Sequence, residues 1–335
     1  MIIIQRPEGY SLSKTMKPLI IDSQEDVTIK ITHEELEEVI LNETYTPDSK
    51  CLITAKDYGD VCGSYLFGVD IEDKDMIEQN NIMGNFTIEF SVYGININVL
   101  KCMAIANIAG HEFQGKRFLN MQHKKKNTSL YSKEYLTFLA NGPKRFAIEY
   151  YIDNGEKITS ISKSYAIATK KGFCTVDVSP VKLLVAHNIQ NCIGYKLSDP
   201  DGEYIEYSLL QESESIHQIK YKNVFDVPET FTAYGEYIKK AVTNIEETII
   251  DGETTLESER ADEFELTLKS IVDQNDKALI SELISSSEIY YMIDEVWKKI
   301  VITKHKIEES SLPGTINDIT ITFKFADKNE NITLL

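Results

Sequence analysis

Apolar and polar residues alternate with a period of two along most of this chain. Val27, Ile29 and Ile31 interleave with Thr28, Lys30 and Thr32, the pattern of a strand with one wet face. Val39–Thr46 and Cys51–Ala55 flank Pro47-Asp48-Ser49-Lys50. Pro presets φ there and Asp or Ser can bond the turn backbone, so the pattern predicts a hairpin. Asn85–Tyr93 and Ile95–Leu100 predict a second hairpin around Gly94. Phe146–Tyr151 and Ile158–Ala168 flank Asp153-Asn154-Gly155, and Asn-Gly is the strongest short-range hairpin signal. Gly194–Leu197 and Tyr204–Leu210 flank Ser198–Gly202 in the same way. Each half also holds a Cys-led strand, at Cys51 and at Cys174. The shared order reads as a weak internal repeat that places both strands at equivalent positions in two similar β-domains. Convergence of two β patterns is the alternative.

The period changes in two places. Phe113–Ala140 is less regular, and Tyr131, Tyr135 and Phe138 fit either a helix or a linker packing its aromatics onto neighbours. Asp276–Ser286 predicts a helix, with Leu279, Ile280, Leu283 and Ile284 on one face and Asn275 or Asp276 as N-cap. Glu288–Ile293 and Val296–Ile307 then predict a hairpin across Asp294-Glu295. Pro313-Gly314 marks a break, and Ile319–Ala326 alternates again. The fold expected is mainly β, with two tandem antiparallel β-sandwich-like domains followed by a small α+β C-terminal domain. The boundaries expected are 1–110, a connecting segment 111–144, 145–212 and 213–335.

Charge narrows the partners. Of 335 residues, 53 are acidic and 35 are Lys or Arg, a net charge of −18. Such a chain needs a strong basic patch to hold a nucleic acid duplex, and an acidic membrane surface repels it. Residues 241–335 hold 20 acids and nine bases, so most of the excess sits there. The apolar run at the start stops after Ile4, short of a signal peptide, and no window approaches the ~20 apolar residues of a membrane span. The five scattered cysteines read as reduced thiols of a chain made in a cytoplasm.

Motifs that carry chemistry are missing. The chain has no phosphate-binding glycine loop, no nucleophile elbow and no zinc helix; His33-Glu34 and His111-Glu112 lack a second His at i+4. No catalytic, cofactor-binding or metal-ligating residue is assigned, and no cofactor. Asp70, Glu72, Asp73 and Asp75 lack the order of a calcium loop and read as a solvated acidic loop; Asp199-Pro200-Asp201-Gly202 reads as a turn. Lys116, Arg117, Lys124, Lys125 and Lys126 form the one basic stretch and the candidate partner contact. Asp251–Glu265, with seven acids and Arg260, reads as a mobile loop or as a segment that pairs with a basic surface.

Several stretches also resemble a family. Ile2–Asp22 (IIIQRPEGYSLSKTMKPLIID), Leu41–Lys50, Phe118–Ala140 and Val224–Glu236 are similar to structural proteins of phages and prophages of gut Bacteroides-type bacteria. Leu279–Tyr291, Val296–Ile307 and Ile319–Asp327 continue the resemblance in order. It implies a tail or baseplate component with β-sandwich domains, and it brings no catalytic residues. The expectation is a non-enzymatic virion tail protein, assembled in the host cytoplasm, that binds copies of itself and neighbouring tail proteins. The alternative is a receptor- or carbohydrate-binding β-sandwich module, which exposed rings flanked by Asp and Asn would favour. A hydrolase would need converging carboxylates or a Cys–His pair, which linear spacing does not reveal.

Overall fold

A computed structural model describes residues 1–72, 74–104, 118–120, 124–213, 215–250, 253–271, 274–307 and 317–327. The chain is mainly β. Its first part comprises β1 (Ile2–Gln5), β2 (Tyr10–Leu12), β3 (Leu19–Asp22), β4 (Val27–His33), β5 (Glu38–Tyr45), β6 (Leu52–Ala55), α1 (Tyr58–Ser64), β7 (Met76–Glu78), β8 (Met83–Phe90) and β9 (Tyr93–Leu100). Two sheets, ordered β1-β3-β6 and β2-β9-β8-β4-β5, share one core built on Leu19, Ile21, Ile29, Ile31, Ile53, Phe86 and Val99. The β8–β9 hairpin forms as the alternation predicts. The predicted pairing of 39–46 with 51–55 does not. Glu37, in the left-handed region, turns β5 back onto β4. The turn at Pro47–Lys50 is real, with Asp48 Oδ1 accepting from the Lys50 and Leu52 N–H groups at 2.8 Å. Left-handed Cys51 then carries the chain into the other sheet, where β6 pairs with β3.

The middle part comprises β10 (Lys125–Thr128), β11 (Tyr135–Asn141), β12 (Lys144–Asp153), β13 (Ile158–Ile167), β14 (Lys171–Asp177), α2 (Pro180–His187), β15 (Cys192–Ser198) and β16 (Tyr204–Leu209). One sheet runs β10-β16-β15-β12-β13 and the other β11-β14-β7, with a single core that includes Phe138, Phe146, Ile148, Tyr195 and Leu183 of α2. Segment 111–144, expected as a connection, supplies β10 and β11 to these sheets, and β7 joins them from before residue 110. Of the three spaced aromatics, Tyr135 and Phe138 are buried on β11 while Tyr131 is exposed. The expected equivalence of the Cys-led strands fails: Cys51 sits in a turn before the terminal strand β6, whereas Cys174 lies within the central strand β14.

The last part comprises β17 (Ile216–Lys222), β18 (Pro228–Ile250), β19 (Glu253–Ile271), α3 (Gln274–Ile284), β20 (Ile289–Ile293), β21 (Val296–Ile307) and β22 (Asn317–Phe325). Six strands close a barrel in the order β17-β18-β19-β22-β21-β20. The predicted helix and the β20–β21 hairpin both form, and Leu279, Ile280 and Leu283 of α3 pack into the barrel core beside Leu266, Ile319 and Phe323. The run 251–265, expected as a loop or a pairing segment, is strand β19 from Glu253 onward; residues 251 and 252 lie outside the described residues. β18 pairs with β17 through Tyr234 and with β19 from Gly235 to Ile250, and β22 covers β19 from Phe264 onward. Among the described residues, 241–250 and 253–263 therefore pair only with each other, a two-stranded ribbon reaching roughly 33 Å past the barrel.

The barrel is joined to both other parts. Phe225 and Val227, in the turn before β18, share a core with Tyr10, Leu12, Leu100, Leu119 and Phe173. The Gly68 N–H donates to Asp226 Oδ2 at 2.8 Å. A Cβ at residue 68 would lie 1.7 Å from the Asp226 carbonyl oxygen, so only glycine allows this approach. Lys220 of β17 pairs with Asp70 of the same loop. Among the described residues no helix is long and apolar enough to cross a membrane.

Candidate interaction surfaces

The basic stretch splits when it folds. Lys116 and Arg117 lie outside the described residues. Lys124 is exposed, its Nζ 4.9 Å from the centre of the Tyr204 ring. Lys125 is also exposed, 4.0 Å from Glu206 on the parallel neighbour β16. Lys126 is not a surface residue: its side chain is 1% exposed. Successive strand residues point to opposite faces, so a lysine run on a strand cannot all face water. Lys126 Nζ donates to Glu134 Oε2 at 3.0 Å, to Thr230 Oγ1 at 3.1 Å and to Glu229 of β18.

This buried cluster continues into both neighbours. The Thr230 hydroxyl donates to Glu134 Oε2, and Asn120 Nδ2 donates to Glu229 Oε2, each at 2.6 Å. Asn120 Oδ1 accepts from the Thr137 N–H, Thr137 bonds Thr175, and Gln79 Nε2 donates to Thr175 Oγ1. Gln79 Oε1 in turn accepts from the Val69 N–H. The polar chain thus runs from the barrel, across the middle sheets, to the loop that grips Asp226. Burial pushes the Glu134 carboxyl above its ordinary range, with Lys126 pulling it back. Burial works against the Lys126 charge, yet Glu134 and Glu229 hold that ammonium above its ordinary value.

The acidic loops are structural. Asp70 and Asp75 pair with Lys220 and Lys182; Asp73 lies outside the described residues. Asp199 Oδ1 accepts from the Asp201 and Glu203 N–H groups at 2.9 Å while Oδ2 meets Lys144 at 3.0 Å, closing the β15–β16 turn.

The ribbon offers the opposite arrangement. Between residues 241 and 263 the chain carries eight acids and one base, Arg260; Asp262 is buried against Lys239 at 2.8 Å and Glu263 meets Lys324 at 3.5 Å, which leaves six acids between residues 246 and 259. The backbone register pairs position 246 with position 257, both glutamate in the sequence. Like charges directly opposite one another weaken a strand pair, and a two-stranded hairpin is marginal in water.

A second surface lies beside α2. The exit of β16, the loop 129–132 and the start of β15 enclose, with α2, a trough of about 960 Å³. Tyr131 and Val181 also border an adjoining hollow of about 520 Å³, so the two meet at the tyrosine ring. Among the described aromatic side chains Tyr131 is the most exposed, at 70%. Sequence reading missed α2 and with it this trough. Pro180 at the helix start and left-handed Asn188 at its end are the signals that mark the helix.

No protein-family model matches the chain, and no curated protein matches it.

Proposed function

We propose that this chain is a non-enzymatic structural component of a bacteriophage virion tail, built as two β-sandwich-like units and a barrel-containing α+β unit. It works by self-assembly and by contacts with neighbouring tail proteins. The observation that carries the reading is the ribbon. Among the described residues, 241–250 and 253–263 pair in strand only with each other, and their sequence is strongly acidic. Such an element gains stability when a second surface supplies backbone partners and positive charge. The resemblance of the sequence to phage tail proteins supplies the setting. A repeated, head-to-tail contact of this kind closes into rings or extends into tubes.

The test is a variant in which residues 241–262 are replaced by a two-residue Asn-Gly turn joining Lys240 of β18 to its register partner Glu263 of β19. The expected result is a folded protein, by circular dichroism, that fails to assemble in mass photometry and is missing from virions. Wild-type assembly should weaken with added salt, because exposed charges are screened beyond ~8–10 Å near physiological ionic strength. A wild-type chain that stays monomeric and enters no particle, or a trimmed variant that assembles like wild type, would refute the reading.

A further inference from the structure

We propose that the trough beside Tyr131 binds a neutral, linear saccharide chain. This does not depend on the assembly role of the ribbon, which lies on a different part of the molecule.

The first argument is the tyrosine. An exposed ring on a loose loop would carry little weight, but this loop is pinned on both sides. The Leu130 N–H donates to Glu212 Oε1 at 2.9 Å, and the Leu130 carbonyl accepts from the Val181 N–H at 3.2 Å. Ser129 and Ser132 bond each other through their hydroxyls at 2.8 Å and close the turn around Tyr131. The ring is therefore presented to solvent by a fixed backbone, which lowers the ordering cost of binding against it. A flat apolar face with a polar tip suits a pyranose ring, whose axial C–H groups pack on an aromatic face while its hydroxyls stay at the edge.

The second argument is the rim. Asn188, Gln190 and Asn191 edge the larger hollow, and their side chains make no hydrogen bond among the described residues. Asn188 and Asn191 both hold left-handed backbone, with φ of 52° and 53°, which fixes the loop that carries them. Amides offer a donor and an acceptor each, the pairing that a sugar hydroxyl needs. The opposite wall is aliphatic: Val185 is 75% exposed and Leu184 and Leu209 line the floor. A few directed polar groups over an apolar surface is the usual make-up of a small-ligand site.

The third argument is charge. The larger hollow contains Asp153 and Glu212 and no Lys or Arg. Asp153 Oδ1 is bonded to the Gly155 N–H and Glu212 to the Leu130 N–H, so both acids also serve their own turns. The adjoining hollow holds one cation, Lys133, beside the two acids Glu212 and Glu295, so neither hollow presents an excess of positive charge to an anionic sugar. The two hollows joined at Tyr131 make a path longer than one sugar ring, which points to a chain that straddles the tyrosine. An apolar peptide helix is the competing occupant, but it wants a continuous apolar groove, and Asn188, Gln190, Asn191 and Gln211 interrupt this one.

The test uses the full-length protein on an array of neutral oligosaccharides, four to eight units long, built from glucose, mannose, galactose and N-acetylglucosamine. Acidic uronate oligomers serve as controls, and array hits are measured by calorimetry. Tyr131→Ala should weaken binding of a hit about tenfold, while Tyr131→Phe, which keeps the ring, should stay within about threefold. Binding should be the same at about 50 and about 500 mM salt, because the ligand is neutral. The proposal fails if no neutral oligosaccharide binds at about 10 mM, if only acidic ones bind, or if Tyr131→Ala leaves a hit unchanged.

Discussion

Strand β18 meets two different environments along its 23 residues. At its start Glu229 is buried against Lys126 and Asn120, with its charge compensated inside the chain. Towards its end position 246 pairs in register with position 257, both glutamate, in a stretch with few bases. The first end cannot exist without its internal partner, because an uncompensated buried carboxylate is costly. The second end leaves its partner to come from outside. The difference separates a charge that holds the parts of one chain together from a charge that is available to another.

The sharpest way to break the contrast is at the compensated end. Lys126→Met should destabilise the protein by about 3–5 kcal/mol in urea unfolding, because two buried carboxylates lose their cation. Adding Glu134→Gln and Glu229→Gln to Lys126→Met should recover most of that loss. For the same reason, changing Lys124, Lys125 and Lys126 together to Glu would unfold the chain rather than report on a surface contact.

The next largest effect is at the anchor just before β18. Gly68→Ala pushes a Cβ into the Asp226 carbonyl and should cost roughly 1–3 kcal/mol, with the loss seen in the same unfolding experiment. Asp226→Asn, which keeps the acceptor for the Gly68 N–H, should cost less.

His217 marks the point where β18 leaves β17. Its Nδ1 lies 2.6 Å from the Tyr291 hydroxyl, and its ring stacks on Tyr291. Burial lowers its pKa below the ordinary 6.5, with a backbone hydrogen bond to Gly235 opposing. The folded state therefore disfavours the proton that the unfolded chain takes up. The His217 contribution to stability is full above pH 6.5 and is lost as pH falls through the folded-state value. Melting temperature measured from pH 7.5 to 5 should decline less in His217→Phe than in wild type.

The smallest effect sharpens the contrast by erasing it. Glu246→Lys turns a like-charge pair with Glu257 into an opposite one and should stabilise the ribbon by about 0.2–1 kcal/mol. It should also weaken assembly, since part of the exposed negative charge is now met within the chain. Hydrogen exchange of residues 244–259 and mass photometry check the two halves of this expectation.

Much of the β architecture was legible because its signals are local. The Asn-Gly turn, the alternation from Ile319 and the apolar face of 279–284 each describe a few neighbouring residues, and each element formed. What could not be read depends on distant partners. Nothing near residues 51–55 states that they pair with Leu19–Asp22 rather than with Val39–Tyr45; only the common core of two sheets decides it. Lys126 looked like its neighbours because its partners, Glu134 and Glu229, come from another turn and another part of the chain. The acidic run 251–265 resembled a loop because charge masks strand propensity, although Phe264 and Leu266 belong to the barrel core. The trough was hidden for the same reason: Tyr131, Asn188 and Glu212 are brought together by α2 and by two turns far apart in sequence.

The edges of two other sheets carry charge. β13, at one edge of its sheet, carries the exposed Lys163 in register with Ile148. A charged side chain on an edge strand discourages edge-to-edge pairing. β5 does likewise with the exposed Glu43, in register with Ile29.

Because β18 is one uninterrupted strand, the ribbon and the barrel wall form a single beam. A pull along the ribbon draws β18 and β19 together and loads the β17–β18 and β19–β22 ladders in shear, so their hydrogen bonds resist together rather than opening one by one. The load does not stop at the barrel. It passes down β18 to Glu229 and Thr230 and from there, through Lys126, into the middle sheets. A molecule built this way can take strain at its tip and spread it over its whole body.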